Sequence, residues 1–330
     1  MIGSRSPSAR AGPTAQALAF TFAAGAGLAI QALINGRLGE SLDSPTLAAT
    51  VNQTVGVISL LVVGIATGAL ARAWQAVRAG ARLRWWHLAV CANGALYLTV
   101  TAAAAPKVGV ALLTVALVSG QTVGSLAVDR LGLSPAGRRQ LTVVRVLGVA
   151  LAIAAVAIAA LGPHSDPHLL LLGLAVVAGV GMALTQAGMG HLAMRTGEPV
   201  VAATISFAIG GLIILVVALA VTGGSAPGGW SAPPELWIGG IIGAATAVAM
   251  AATVKTLGVL RLMLSVVAGQ SLGGIVVDLF APAAGEGVTL RTVVSVLLTF
   301  LAVVVSGMVP RRSVRVGTLR RGSPLPDDRA

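Results

Sequence analysis

The chain is predicted to be an all-α integral membrane protein, with ten transmembrane helices arranged as two inverted five-helix repeats. Composition, a self-match and the placement of charge predict it. Of 330 residues, 56% are hydrophobic and 10% charged, and the mean hydropathy is +0.93. Soluble domains carry about 25% charged residues. Here the charges gather between apolar stretches of about 20 residues, the length a helix needs to cross a bilayer. The apolar runs are continuous and do not alternate, which argues against strands.

The self-match has two parts. Residues 24–63 lie on 178–217 without a gap, and fourteen of those forty positions are identical, from Ala24, Gly25 and Gly27 to Leu61, Val62 and Val63. At a second offset, Gly120, Gln121, Gly124, Val128 and Asp129 fall on Gly269, Gln270, Gly273, Val277 and Asp278. Duplicated membrane units are typical of transporters, and an odd number of spans per unit inverts the second copy.

Ten spans are expected near residues 15–35, 46–70, 86–105, 108–128, 141–161, 168–189, 200–222, 236–254, 257–279 and 291–309. Pro45 and Pro199 open the second and seventh at matching repeat positions, where a missing N–H costs nothing. Pro106 is expected in the tight link between the third and fourth. Residues 223–234, rich in Gly and Pro, form an irregular loop. Four units follow: a tail over 1–14, repeats over 15–162 and 163–310, and a basic tail over 311–330. No secretory signal pattern precedes the first span.

Charge then orients the spans. With the N-terminus in the cytoplasm, seventeen Lys and Arg lie in cytoplasmic segments, and three (Arg37, Lys107 and Arg291) lie outside. Arg145 and Arg261, one turn inside cytoplasmic helix ends, can snorkel to the interface. This bias places both termini in the cytoplasm and requires an even span count. The loop between the second and third spans holds Arg72, Arg78, Arg82 and Arg84. Its counterpart between the seventh and eighth holds neither Lys nor Arg, as opposite orientations require.

Composition also excludes functions. The net charge of +12 sits at helix ends and in tails, a membrane pattern and not a nucleic-acid surface. The single Cys91 rules out an intramolecular disulfide and a cysteine metal cluster. His87, His164, His168 and His191 are scattered at helix ends, so no metal site is expected. The chain carries no zinc-protease helix motif, phosphate loop or nucleophile elbow, and neither an enzyme nor a cofactor is expected.

Two stretches carry a family resemblance. Residues 25–56 read GAGLAIQALINGRLGESLDSPTLAATVNQTVG. Residues 120–133 read GQTVGSLAVDRLGL and are echoed by GQSLGGIVVDLF at 269–280. With the five-plus-five plan, they resemble the YdcZ-type bacterial inner-membrane family of the drug/metabolite transporter superfamily. The resemblance covers about residues 15–310. It implies a secondary exporter of small organic metabolites or drugs, working by alternating access in the bacterial plasma membrane. Small four-helix multidrug exporters, more distantly similar, place an essential Glu in their first helix. Here Glu40 and Asp43 lie in the following loop. A lipid flippase, a membrane enzyme and a channel are the alternatives. The first two would need a carboxylate, His or metal cluster at membrane depth, which is missing; a fixed pore does not require inverted halves, and no ring of charge is visible. Expected partners are a small-molecule substrate and lipid; a coupling proton or cation and a homodimer stay open.

Candidate substrate contacts are Gln31, Asn35, Asn93, Tyr97, Gln121, Gln186 and Gln270. Gln31 and Asn35 stand four apart and share a helix face, as do Asn93 and Tyr97. Polar amides at membrane depth face a cavity or another helix. Gln186 is one residue off the repeat counterpart of Gln31, about 100° around the helix. Gln121 and Gln270 stand beside small-xxx-small glycines, so they either reach a cavity or act as polar glue. Asp129 and Asp278 end the fourth and ninth spans, either as gates at opposite mouths or as solvated carboxylates. Asn52 and Gln53 could also line a cavity. The five Trp residues fit interfacial belts.

Overall fold

A computed structural model describes residues 13–81, 84–134, 137–138, 142–160, 166–222, 232–281 and 289–307. The expected tails up to residue 12 and beyond 310, most of the 223–234 loop, and His164 and Trp230 lie outside the described residues, as do the side chains of Arg145, Lys255 and Arg261.

Among the described residues the fold is entirely helical. The α-helices are α1 (Pro13–Ser41), α2 (Pro45–Ala66), α3 (Ala69–Arg78), α4 (Trp85–Ala89), α5 (Asn93–Val108), α6 (Val110–Leu131), α7 (Val143–Ala160), α8 (Asp166–Thr196), α9 (Pro199–Thr222), α10 (Gly239–Phe280) and α11 (Leu290–Gly307). Short 3₁₀ turns at Val90–Ala92 and Pro234–Ile238 lead into α5 and α10. Seven segments are long and apolar enough to cross a membrane: Ala15–Ser41, Pro45–Ala66, Trp85–Val108, Val110–Leu131, His168–Thr196, Pro199–Ala220 and Pro234–Thr253. Three shorter apolar helices, Val146–Ala155, Ser265–Phe280 and Leu290–Ala302, fall on the other expected spans. Helix α6 is the most enclosed of the seven.

Local chemistry explains the helix ends. Ser44 caps α2 by accepting the Leu47 N–H at 3.3 Å, with Pro45 in the first turn. α1 and α8 outrun the expected spans, to Ser41 and Thr196. Glu40 stands in the last turn of α1, just after Arg37, and Arg195 in the last turn of α8, so apolarity ends before the helical backbone does. The Arg-rich loop after α2 contains the amphipathic helix α3. Its Ala69 and Ala73 are buried, and Arg72 pairs with Glu198 just beyond α8. Pro106 stands inside the last turn of α5 and not in the link, with its ring against Gly36 of α1. The link is one residue, Gly109, at φ +79°. Only glycine adopts that angle without strain.

α10 covers two expected spans, yet it cannot be straight. Thr246 Oγ1 donates to Ala24 O at 3.5 Å, and Val266 abuts the neighbouring Gly25. Twenty residues of straight helix would separate Thr246 from Val266 by about 30 Å. The two limbs also run in opposite directions along α1. In the first, Gly239, Gly243 and Thr246 meet Ile34, Gln31 and Gly27. In the second, Ser265, Gly269 and Gly273 meet Leu18, Phe22 and Ala26. α10 therefore doubles back, antiparallel and then parallel to α1.

The closest helix crossings follow the repeat. A Cβ on Gly25 would strike Val266 O, and one on Gly179, 154 positions later, would strike Leu117 O. Likewise a Cβ on Gly269 would strike Phe22 O, and one on Gly120 would strike Val176 O. α1 is thus set against the second limb of α10, and α8 against α6, backbone on backbone. Small-xxx-small pairs permit this approach, with Gly124 on Val180 and Gly273 on Ala26 one turn further. α2 meets α9, and α7 meets α11, completing the arrangement.

Candidate functional site

Where the halves meet, α1, α2, α5, α8, α9 and the first limb of α10 enclose a chamber of about 580 Å³, its mouth included. Gln31, Gln53, Gly94 and Tyr97 line it from the first half. Met182, Thr185, Gln186, Ser206, Phe207, Thr246 and Met250 line it from the second. No Asp, Glu, Lys, Arg or His is among the described lining residues. A second cavity of about 690 Å³, open solvent included, shares Gln186, Met189 and Met250 with the chamber and is also lined by Ala193, Asp129 and Ser134.

An amide chain closes one side of the chamber. Gln31 Nε2 donates to Asn52 Oδ1 at 3.1 Å, and Asn52 Nδ2 donates to Asn35 Oδ1 at 2.6 Å. The spacing of four that placed Gln31 and Asn35 on one face lets both reach Asn52 on α2. Gly243 and Gly239 of α10 lie flat against this chain; a Cβ at Gly243 would strike Gln31 Nε2. Gln53 is 2% exposed, and its Nε2 is wedged near Gly94 and Gly210. Its Oε1 accepts no hydrogen bond. Gln186 Nε2 finds only the Met250 thioether, at 3.8 Å, and thioethers are weak acceptors.

The two carboxylates of the repeated Gly-Gln…Asp block stand at different ends. Asp278 is buried and receives two backbone hydrogen bonds at the start of α6. Val110 N–H donates to Oδ1 and Ala111 N–H to Oδ2, both at 2.8 Å. These are orphan donors of a helix N-terminus, which favours an anion. A Cβ at Gly109 would come within 3.0 Å of Asp278 Oδ2. Asp129 lines the second cavity at the far end of α6.

The structure thus brings Gln31, Tyr97 and Gln186 into the chamber, with Asn35 behind Gln31. Asn93 lies just outside and donates from Nδ2 to Ala178 O at 3.1 Å, against Gly181. Its contact is the repeat image of Thr246 on Ala24 O. Gln121 and Gln270 are 3% and 1% exposed and flank the glycine crossings, outside both cavities. Gln53 deserved equal weight from sequence, since it stands on α2 one residue past Asn52. The methionines and Phe207 carried no signal, because an apolar residue in an apolar helix looks the same facing a cavity or lipid. His87 and His191, far apart in sequence, stack at 5.1 Å between ring centroids, both edge-on to Trp86. His191 Nε2 lies 3.0 Å from Leu133 O. Among the described residues no group of three metal-ligating side chains gathers.

A comparison with curated proteins finds no match. The family model described as "Putative inner membrane exporter, YdcZ" matches two successive segments, residues 16–158 and 170–305. The two segments divide the chain where the self-match does and suggest duplicated halves. That family is one of transporters, and it implies a multi-pass protein of the inner membrane with a small-molecule substrate. The chain belongs to the YdcZ family of inner-membrane exporters within the drug/metabolite transporter group.

Proposed function

We propose that this exporter is a secondary transporter of small organic molecules that works by alternating access, built from ten spans in two inverted halves over 15–162 and 163–310. The observation that carries the reading is the chamber's position. It lies between equivalent helices of the two halves, and a second cavity adjoining it through Gln186, Met189 and Met250 is lined by Asp129 and Ser134. The opposed limbs of α10 support a count of ten, and the charge bias supports cytoplasmic termini. On that orientation the Asp129 end faces the cytoplasm and the Asp278 end faces outward. The conformation described is then inward-facing. Asp278 acts as the outer gate by holding the N-terminus of α6, and Asp129 stands at the inner mouth as its counterpart.

Rocking one half against the other would exchange the open and closed ends. The described residues offer no nucleotide-binding loop, so the driving force on this reading is an ion gradient or the substrate gradient itself. Purified protein in liposomes should show counterflow across a broad panel of metabolites and drugs at carrier rates. Single-channel conductance, or no exchange for any member of the panel, would overturn the reading.

A further inference from the structure

We propose that the chamber takes an uncharged, amphiphilic molecule: one end carries both a hydrogen-bond donor and an acceptor, the other is an aromatic or branched apolar body. This rests on the reading of the chamber as the transport site. The first observation is the wall itself, whose described lining residues include no charged side chain to compensate an ion. An ion entering would lose hydration without gaining a partner.

The second observation is that the two halves furnish unlike walls from equivalent positions. At an offset of 154, Gln31 corresponds to Thr185, Gln53 to Phe207, and Leu28 to Met182. The matched contacts of Asn93 and Thr246 set an offset of 153 for α5 and α10, and Tyr97 then corresponds to Met250. Residues at equivalent positions face the chamber from its two sides. One side therefore offers two amides and a phenol. At the matching positions the other offers a phenyl ring, two thioethers and a Thr185 hydroxyl donated toward Val90 O at 2.6 Å and Gly181 O at 3.0 Å, while Gln186, Ser206 and Thr246 add polar groups beside them. Thioethers adapt to apolar bodies of varied shape and contact aromatic rings favourably.

The third observation is which polar atoms lack a strong partner. Gln53 lines the chamber, and its buried Oε1 has no donor, so a ligand that supplies one draws that side chain round into the chamber. Tyr97 has a hydroxyl to give, and Gln186 has amide hydrogens held only by a thioether. A primary amide or an alcohol answers both requirements from a single group.

The test is thermal unfolding of the full, detergent-solubilised chain with four probes of similar size: benzamide, N,N-dimethylbenzamide, benzoate and benzyltrimethylammonium. Only a ligand that prefers the folded state raises the midpoint. Benzamide should raise it at concentrations at least tenfold below either ion. N,N-dimethylbenzamide, which has no donor, should be weaker, and Gln53→Leu should erase the difference between the two amides. An ion acting as strongly as benzamide, equal responses to the two amides in the unmutated chain, or no response to any probe overturns the assignment. Exchange across proteoliposomes separates the two readings. Benzamide that binds but never exchanges counts against the carrier and leaves the chamber assignment standing. Exchange of benzoate or the cation counts against the assignment and leaves the carrier standing.

Discussion

Asp278 and Asp129 occupy the same position in the two copies of one sequence block, yet their surroundings differ. Asp278 is sealed against the first amides of α6, whereas Asp129 borders a cavity that shares three lining residues with the chamber. On the proposed alternating-access reading, equal sequence with unequal environment is one state of two, and the difference between the ends belongs to the conformation and not to the residues. The glycine crossings differ little between the halves, so on that reading they form the frame against which the ends change.

That comparison breaks most completely if the frame goes. Gly25→Leu or Gly179→Leu would drive a side chain into a facing backbone carbonyl, and there is no flexible neighbour to yield. Either variant should give little folded protein, measured as monodisperse material after solubilisation. Full recovery of both would show that the crossings are slack.

Asp278→Asn comes next. It replaces a carboxylate holding two N–H groups with a neutral amide that can accept at only one oxygen. The expected loss is roughly 1.5–3 kcal/mol, the worth of a hydrogen bond to a charged group. It should also expose a cysteine placed at Leu28 to an impermeant thiol reagent added outside; the native Cys91 is buried. An unchanged melting point together with unchanged reagent access would mean that Asp278 does not hold that end closed. Replacing Gln121 and Gln270 singly by Ala should lower transport without loss of expression. Full activity in both would leave them a packing role alone. The smallest effect belongs to Arg72→Ala. Its ion pair with Glu198 is on the surface, and exposed pairs contribute little. Melting temperature should barely move.

Much of the helical layout is legible in the sequence, because hydropathy and a repeat report length and order. The self-match even names the crossing glycines, since backbone contact admits only the smallest residue. The chamber is legible in part. Gln31 and Gln186 announce themselves as amides in apolar helices, whereas Met182, Met250 and Phe207 do not, because cavity and lipid ask for the same side chains. The path of α10 is hidden for another reason. Its two limbs are told apart by what each touches on α1, and such contacts leave no mark on periodicity. The stacking of His87 on His191 is equally a product of tertiary placement, which brings together residues more than 100 positions apart.

The crossing of Gly25 with Val266 has a consequence in time. The ribosome must add more than 240 residues after Gly25 before its partner exists. At about 5–20 residues per second this takes roughly 10–50 s. During that interval the notch in the first helix, shaped for another backbone, faces lipid or the insertion machinery. The second copy's first helix waits for nothing, since Leu117 is already made when Gly179 emerges. Two identical joints are thus assembled on different clocks, and the later one completes the molecule.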